Sequence, residues 1–301
     1  MPTSLYTGSR LLPAYLAAHA LGLLGFWFVP AGGWLHASWQ SVAGWISAAF
    51  MVAGIQRHRP AARFAWYAIA AGAFISSSGT LVETVAWRYF GVTTNPNVAD
   101  LFWLALYPGL IVGLGVIVRR RAATEDLGTM MLNTAVCLLL NLLVGLLAWE
   151  LIVWRAQSDP SVTLANRIIV TLYPLADTVV LALTVRLALG GGLTRPTLAL
   201  LVTSLLAFLV SDVAWSVFLR SGRMPEPGTQ YLMEATSITA RALLACAALH
   251  PAIRDVAPPL GDRQLRLGRL GWIGLAASVV TAPLLLILQA LLDRLYSVTS
   301  F

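Results

Sequence analysis

Residues 97–121 read NVADLFWLALYPGLIVGLGVIVRRR. Between Asp100 and Arg119 the run carries no charge. A helix rising 1.5 Å per residue needs about 20 such residues to cross the roughly 30 Å of bilayer hydrocarbon. The stretch near 99–118 is therefore expected to be a transmembrane helix that three arginines end. Eight more apolar stretches, near 11–29, 37–55, 64–88, 127–154, 166–187, 196–219, 229–249 and 270–292, bring the expected spans to nine.

Composition agrees with that reading. The 301 residues are 58% hydrophobic and 11% charged, with a mean hydropathy of +0.77, where a soluble domain carries roughly 25% charged residues. The sequence predicts an all-α, polytopic integral membrane protein. Residues 1–301 form a single transmembrane domain of four helical hairpins, about 11–55, 64–118, 127–187 and 196–249, with an extra span at 270–292. Arg10 leads directly into a full-length span, so the first helix is expected to stay as an anchor and not to be cleaved as a signal peptide.

Charge placement predicts orientation. All 20 basic residues are arginines. Arg57, Arg59 and Arg63 lie between spans two and three, Arg119–Arg121 between four and five, Arg186 and Arg195 around the six–seven connection, and Arg254, Arg263, Arg266 and Arg269 between eight and nine. Cytoplasmic loops are enriched in arginine and lysine, which places the N-terminus in the cytoplasm and the C-terminus outside. Scattered singly or in short runs, the arginines mark topology and give no nucleic-acid surface.

The hairpins repeat. VETVAWR at 82–88 answers WELIVWR at 149–155, and each precedes a span holding Tyr-Pro, at Tyr107-Pro108 and Tyr173-Pro174. The offsets are 67 and 66 residues, so Glu83, Trp87 and Tyr107 correspond to Glu150, Trp154 and Tyr173. VSDVAWS at 210–216 is a fainter third copy, with Asp212 and Trp215 in the acid and tryptophan roles. Membrane bundles built from repeats often place their sites at the repeat interface.

Ionisable side chains inside a span cost at least ~2.5–3.5 kcal/mol at its centre, so they should face the bundle interior and be paired. The candidate ligand-binding set is Glu83, Trp87, Tyr107, Glu150, Tyr173, Asp177, Asp212, Trp215, Glu234 and Arg241. Plainer roles stand beside this one. Asp177 and Asp212 would neutralise Arg241 and hold helix register, Glu83 and Glu150 would snorkel toward water or toward Arg88 and Arg155, and the tryptophans would join the aromatic belt. The depths place the set in the outer half or the middle of the membrane, with Arg241 expected to meet an acid on span six or seven.

Enzyme chemistry finds no foothold. His19, His36, His58 and His250 are far apart in sequence, and no HExxH, CxxC, GxSxG, Walker or GxGxxG pattern occurs. Cys137 and Cys246 fall in different spans and read as buried small hydrophobes. No cofactor or metal is expected.

Five segments in order, GIQRHRPAARFAWYAIAAG at 54–72, residues 97–121, TLYPLADTVVLALTVRLALGGG at 171–192, VSDVAW at 210–215 and AALHPAIRD at 247–255, together resemble the multi-span N-terminal sensory region of actinobacterial GGDEF and GGDEF–EAL cyclic-di-GMP signalling proteins. The resemblance covers nearly everything from about residue 40 onward. The family usually shows Gly-Asp where this chain has Gly79-Thr80, and its pattern runs on into cytoplasmic catalytic domains, whereas no GGDEF or EAL sequence stands here. The resemblance implies a membrane sensor or receptor-like module that binds a small or amphiphilic ligand from the outer side and signals through a cytoplasmic or membrane partner. The competing expectation is a small-molecule transporter or an export or immunity protein.

Overall fold

The computed structural model describes residues 11–94, 96–122, 127–149, 153, 157, 162–189, 195–221 and 225–257. Among these, every regular element is helical: α1 (Leu11–Phe26), α2 (Trp34–His58), α3 (Arg63–Ser77), α4 (Gly79–Phe90), α5 (Val98–Leu104), α6 (Leu106–Ala122), α7 (Leu127–Ala148), α8 (Leu164–Leu189), α9 (Pro196–Ser221), α10 (Pro227–Leu249) and a closing 3-10 turn, Pro251–Asp255.

Among the described residues, six units are long and apolar enough to cross a membrane, where the sequence predicts nine spans. Two of the six are broken helices, Arg63–Phe90 (α3 with α4) and Val98–Ala122 (α5 with α6). The second break has a visible cause. Pro108 has no N–H to give the Leu104 carbonyl, and its ring crowds that carbonyl, so the helix stops at Leu104 and the Ala105 N–H turns to Phe102 O at 3.1 Å. Of the remaining three expected spans, α1 has only 16 helical residues and 270–292 lies outside the described residues. The third, α2, has 25 residues but dilutes its apolar run with Ser38, Gln40, Ser41 and Ser47. Neighbouring helices answer part of that polarity: the Tyr15 hydroxyl meets Ser47 Oγ at 2.8 Å, and Trp45 Nε1 donates to Ser78 Oγ at 3.0 Å.

Small residues let the backbones approach. A Cβ added at Gly109 or Gly113 on α6 would stand 2.6 Å from the carbonyl oxygen of Ala68 or Ala65 on α3, which is how membrane helices pack without a hydrophobic driving force between them. Helix α10 is the most buried of the six units. It packs against α9, α2 and α1, while α3 packs against α2 and α6. The core runs through Trp66, Ile69, Leu110, Leu114, Ile117, Leu198 and Leu201. Helix α8 joins α7, α6 and α9.

Arginine-bearing connections gather at one end of this bundle. Arg254 Nε donates to His58 O at 2.8 Å, Arg121 Nη1 to Val256 O at 3.3 Å, and Arg195 Nη1 to Asp255 O. His58 Nε2 completes the clasp by donating to Leu249 O at 2.9 Å.

Candidate functional site

Tyr107 is the centre of the polar interior. It is the second residue of α6, just before the proline that breaks the helix, and is 5% exposed. Its hydroxyl lies 2.8 Å from Asp177 Oδ1 on α8 and 3.1 Å from Asp212 Oδ2 on α9. A phenol has a single proton to donate. Both contacts are hydrogen bonds only when one of the two carboxyls holds a proton and donates it to the phenol oxygen. Three helices thus meet at one hydroxyl.

A small cavity adjoins this junction, lined by Tyr107, Asp177 and Asp212 with Leu110, Val180, Thr184 and Phe208 among its walls. Its volume is about 10 Å³, enough for about one water molecule. The site is apolar except for its two carboxylates, its phenol and Thr184.

The repeat equivalent of Tyr107 lies beside it. The Tyr173 ring meets the Tyr107 ring at 6.1 Å, edge on at 71°. The Tyr173 hydroxyl donates to Asp100 Oδ1 at 3.1 Å. Asp100 is buried and already closes a capping box on α5, in which its Oδ2 accepts from Asn97 N at 2.9 Å while Asn97 Oδ1 accepts from Ala99 N at 2.8 Å. Tyr107 therefore reaches an acid on the helix that carries Tyr173, and Tyr173 reaches an acid on the unit that carries Tyr107. Glu83, half-buried on α4, stands where the charge of Asp100 bears on it.

Arg241 is placed elsewhere. Its Nη1 donates to Ser237 O and Oγ, each at 3.2 Å, its Nη2 to Ser76 Oγ at 3.4 Å, and its guanidinium lies 5.4 Å from the centre of the Phe208 ring. Among the described residues it forms no direct ion pair with Asp177 or Asp212, although the Asp212 charge acts on it, and the Phe208 ring, one turn before Asp212 on α9, lies against the guanidinium. Within the expected Asp177–Asp212–Arg241 group, the two carboxyls are bridged by Tyr107, and Arg241 acts on Asp212 by charge and not by a direct bond.

Glu234 belongs to the opposite end of the bundle from the arginine clasp. Its Oε2 lies 2.8 Å from His36 Nε2, and its Oε1 accepts from Gln230 Nε2 at 3.0 Å. Phe26 and Tyr231 pack on the His36 ring at 5.0 and 5.6 Å. Trp87 is 53% exposed and does not line the site. Trp215, partly buried on α9, stands outside the cavity wall. Glu150 and its neighbour Trp154 lie outside the described residues.

Two residues of the interior escaped the sequence reading. Asp100 carries the spacing of a helix start, Asn97 to Asp100, and nothing in the sequence announces its second bond to Tyr173. His36 lies 198 positions from Glu234, and only the packing of α2 on α10 joins them.

Comparison with protein-family models, with curated proteins and with solved structures finds no match to this chain.

Proposed function

We propose that this chain is an integral membrane sensor or receptor-like module of nine spans, its N-terminus cytoplasmic and its C-terminus external, built from repeated hairpins. It binds a small or amphiphilic ligand from the outer side and signals through a partner, as the resemblance to GGDEF and EAL sensory regions implies. The observation that carries the reading is the Tyr107 junction, where α6, α8 and α9 are joined by two hydrogen bonds at one hydroxyl. A ligand that takes either carboxylate away from Tyr107 changes how three helices are held, and a sensor needs such a bistable contact.

A second reading, a proton-coupled transporter, draws on the same junction, because satisfying both contacts requires a proton held between two carboxyls. The two readings separate in one experiment. Purified protein in lipid nanodiscs is screened for ligands that shift its unfolding temperature, and each hit is retested on Asp177→Asn and Asp212→Asn. Sensing expects a hit that both variants lose and that is not accumulated by proteoliposomes under a proton gradient. Accumulation would favour transport, and a hit bound equally by both variants would remove the junction from either reading.

A further inference from the structure

Four buried side-chain atoms, His36 Nδ1, Gln40 Nε2, Ser41 Oγ and Arg241 Nε, lack a hydrogen-bond partner among the described residues. They share one seam. Helices α2 and α10 keep a nearly constant register along their length, from His36 against Glu234, through Gly44, where an added Cβ would come 3.2 Å from Arg241 Cδ, to Gly54 against Ala248 and Leu249. That register sets Gln40 and Ser41 level with Ser237 and Ile238. The Arg241 guanidinium reaches back one turn to Ser237, which brings it to the same level.

The donors at this level outnumber the acceptors. A guanidinium offers five N–H groups, and the acceptors that meet it, Ser237 O, Ser237 Oγ and Ser76 Oγ, are neutral oxygens. Arg241 Nε–H, the Gln40 amide N–H and the Ser41 hydroxyl are left over, and Ser41 is 0% exposed. Glu234 is engaged by His36 and Gln230 at the end of the seam, Asp212 by Tyr107 beyond Phe208, and α3 contributes Ser76 and Ser77 but no charge. Arg241 feels the Asp212 charge but has no hydrogen bond to it, and the donors left over at this level lack an acceptor.

We infer that the α2–α10 seam binds one small monovalent anion, a halide or a short carboxylate, held by Arg241 Nε, Gln40 Nε2 and Ser41 Oγ. This site shares no residue with the Tyr107 junction. Water would satisfy the donors alone, whereas an anion would also add to the charge compensation that Asp212 gives the guanidinium from a distance.

The full chain is purified in detergent with gluconate as the sole anion, and chloride, bromide or acetate is titrated in at constant ionic strength while the unfolding temperature is read. The expected result is a saturable rise that is the same with sodium or potassium and is lost in Ser41→Ala and in Arg241→Gln. Asp177→Asn should retain it, which separates this site from the junction. Gln40→Leu serves in place of any variant that does not fold, and it too should lose the response. A flat titration overturns the inference, as does a rise that follows the cation or survives unchanged in Ser41→Ala and Gln40→Leu.

Discussion

Removing His36 should cost this protein more than removing both His36 and Glu234. The two side chains are 3% and 7% exposed and meet at 2.8 Å. Breaking a buried pair by deleting one partner costs about 3–5 kcal/mol, because the survivor is left buried and uncompensated. Glu234 keeps its bond from Gln230 at 3.0 Å, which sets His36→Leu at the lower end, about 3 kcal/mol. The reverse deletion, Glu234→Leu, strands an imidazole whose Nδ1 already lacks a partner, and about 3–4 kcal/mol is expected. With both replaced by leucine, the packing of Phe26 and Tyr231 around the site receives apolar groups and no polar atom is orphaned. The double variant should then lie within about 1 kcal/mol of the parent, since buried pairs are often replaced at little net cost. Reversible unfolding of the four proteins in mixed detergent micelles gives the double-mutant cycle. If the single costs simply add in the double variant, the pair is not coupled and the reasoning fails.

Tyr107→Phe should destabilise by about 2–3 kcal/mol, since hydrogen bonds to charged groups are the stronger kind, and Tyr173→Phe by roughly half as much because Asp100 retains Asn97 N–H; unfolding in detergent compares the two. Gly54→Ala puts a Cβ 2.6 Å from the Ala248 carbonyl carbon and 2.9 Å from Leu249 N, both backbone atoms that cannot swing aside, so about 1–3 kcal/mol is expected, whereas Gly115→Ala, with nothing within 4 Å, should be neutral or stabilising. Burial, opposed by the bond to Leu249 O and reinforced by Arg254, Arg57 and His250, holds the His58 imidazole below its usual value. Its contribution is then complete above the unfolded value of about 6.5 and is lost as pH falls through the folded one, so His58→Gln should flatten the fall in melting temperature on mild acidification. A cysteine at Ser300 should react with an impermeant reagent added outside intact cells, and protection there would reverse the assigned orientation.

Helix type, membrane character and the grouping of arginines at one end of the bundle were all legible as runs and charges along the chain. Legibility failed where polarity was averaged. Helix α2 reads as one more span, yet part of its polarity turns inward, Ser47 to Tyr15 on α1 and Ser41, fully buried, to the interior, which only neighbouring helices explain. Tyr107 and Tyr173 were found through their repeated Tyr-Pro setting, and their rings do meet. The acids they bind could not be ranked, because nothing local distinguishes Asp100, which also caps α5, from a residue that only caps. Charge alone pairs Arg241 with the acids, and its hydrogen bonds to Ser237 and Ser76, neutral groups with no charge to be read, are visible only once the helices are packed.

The arginine clasp around Pro251–Asp255 has an asymmetry of its own. Its acceptors are main-chain carbonyls, those of Leu249, His58, Asp255 and Val256, and every side chain it uses is a donor, from His58, Arg121, Arg195 and Arg254. Any residue offers a carbonyl. The acceptor positions 249, 255 and 256 can therefore change identity freely as far as the clasp is concerned, while each donor is fixed by its reach and charge. Drift at positions 249, 255 and 256 would leave the ends of α2, α6 and α9 fastened to the segment, whereas loss of Arg121, Arg195 or Arg254 would in each case remove a fastening bond.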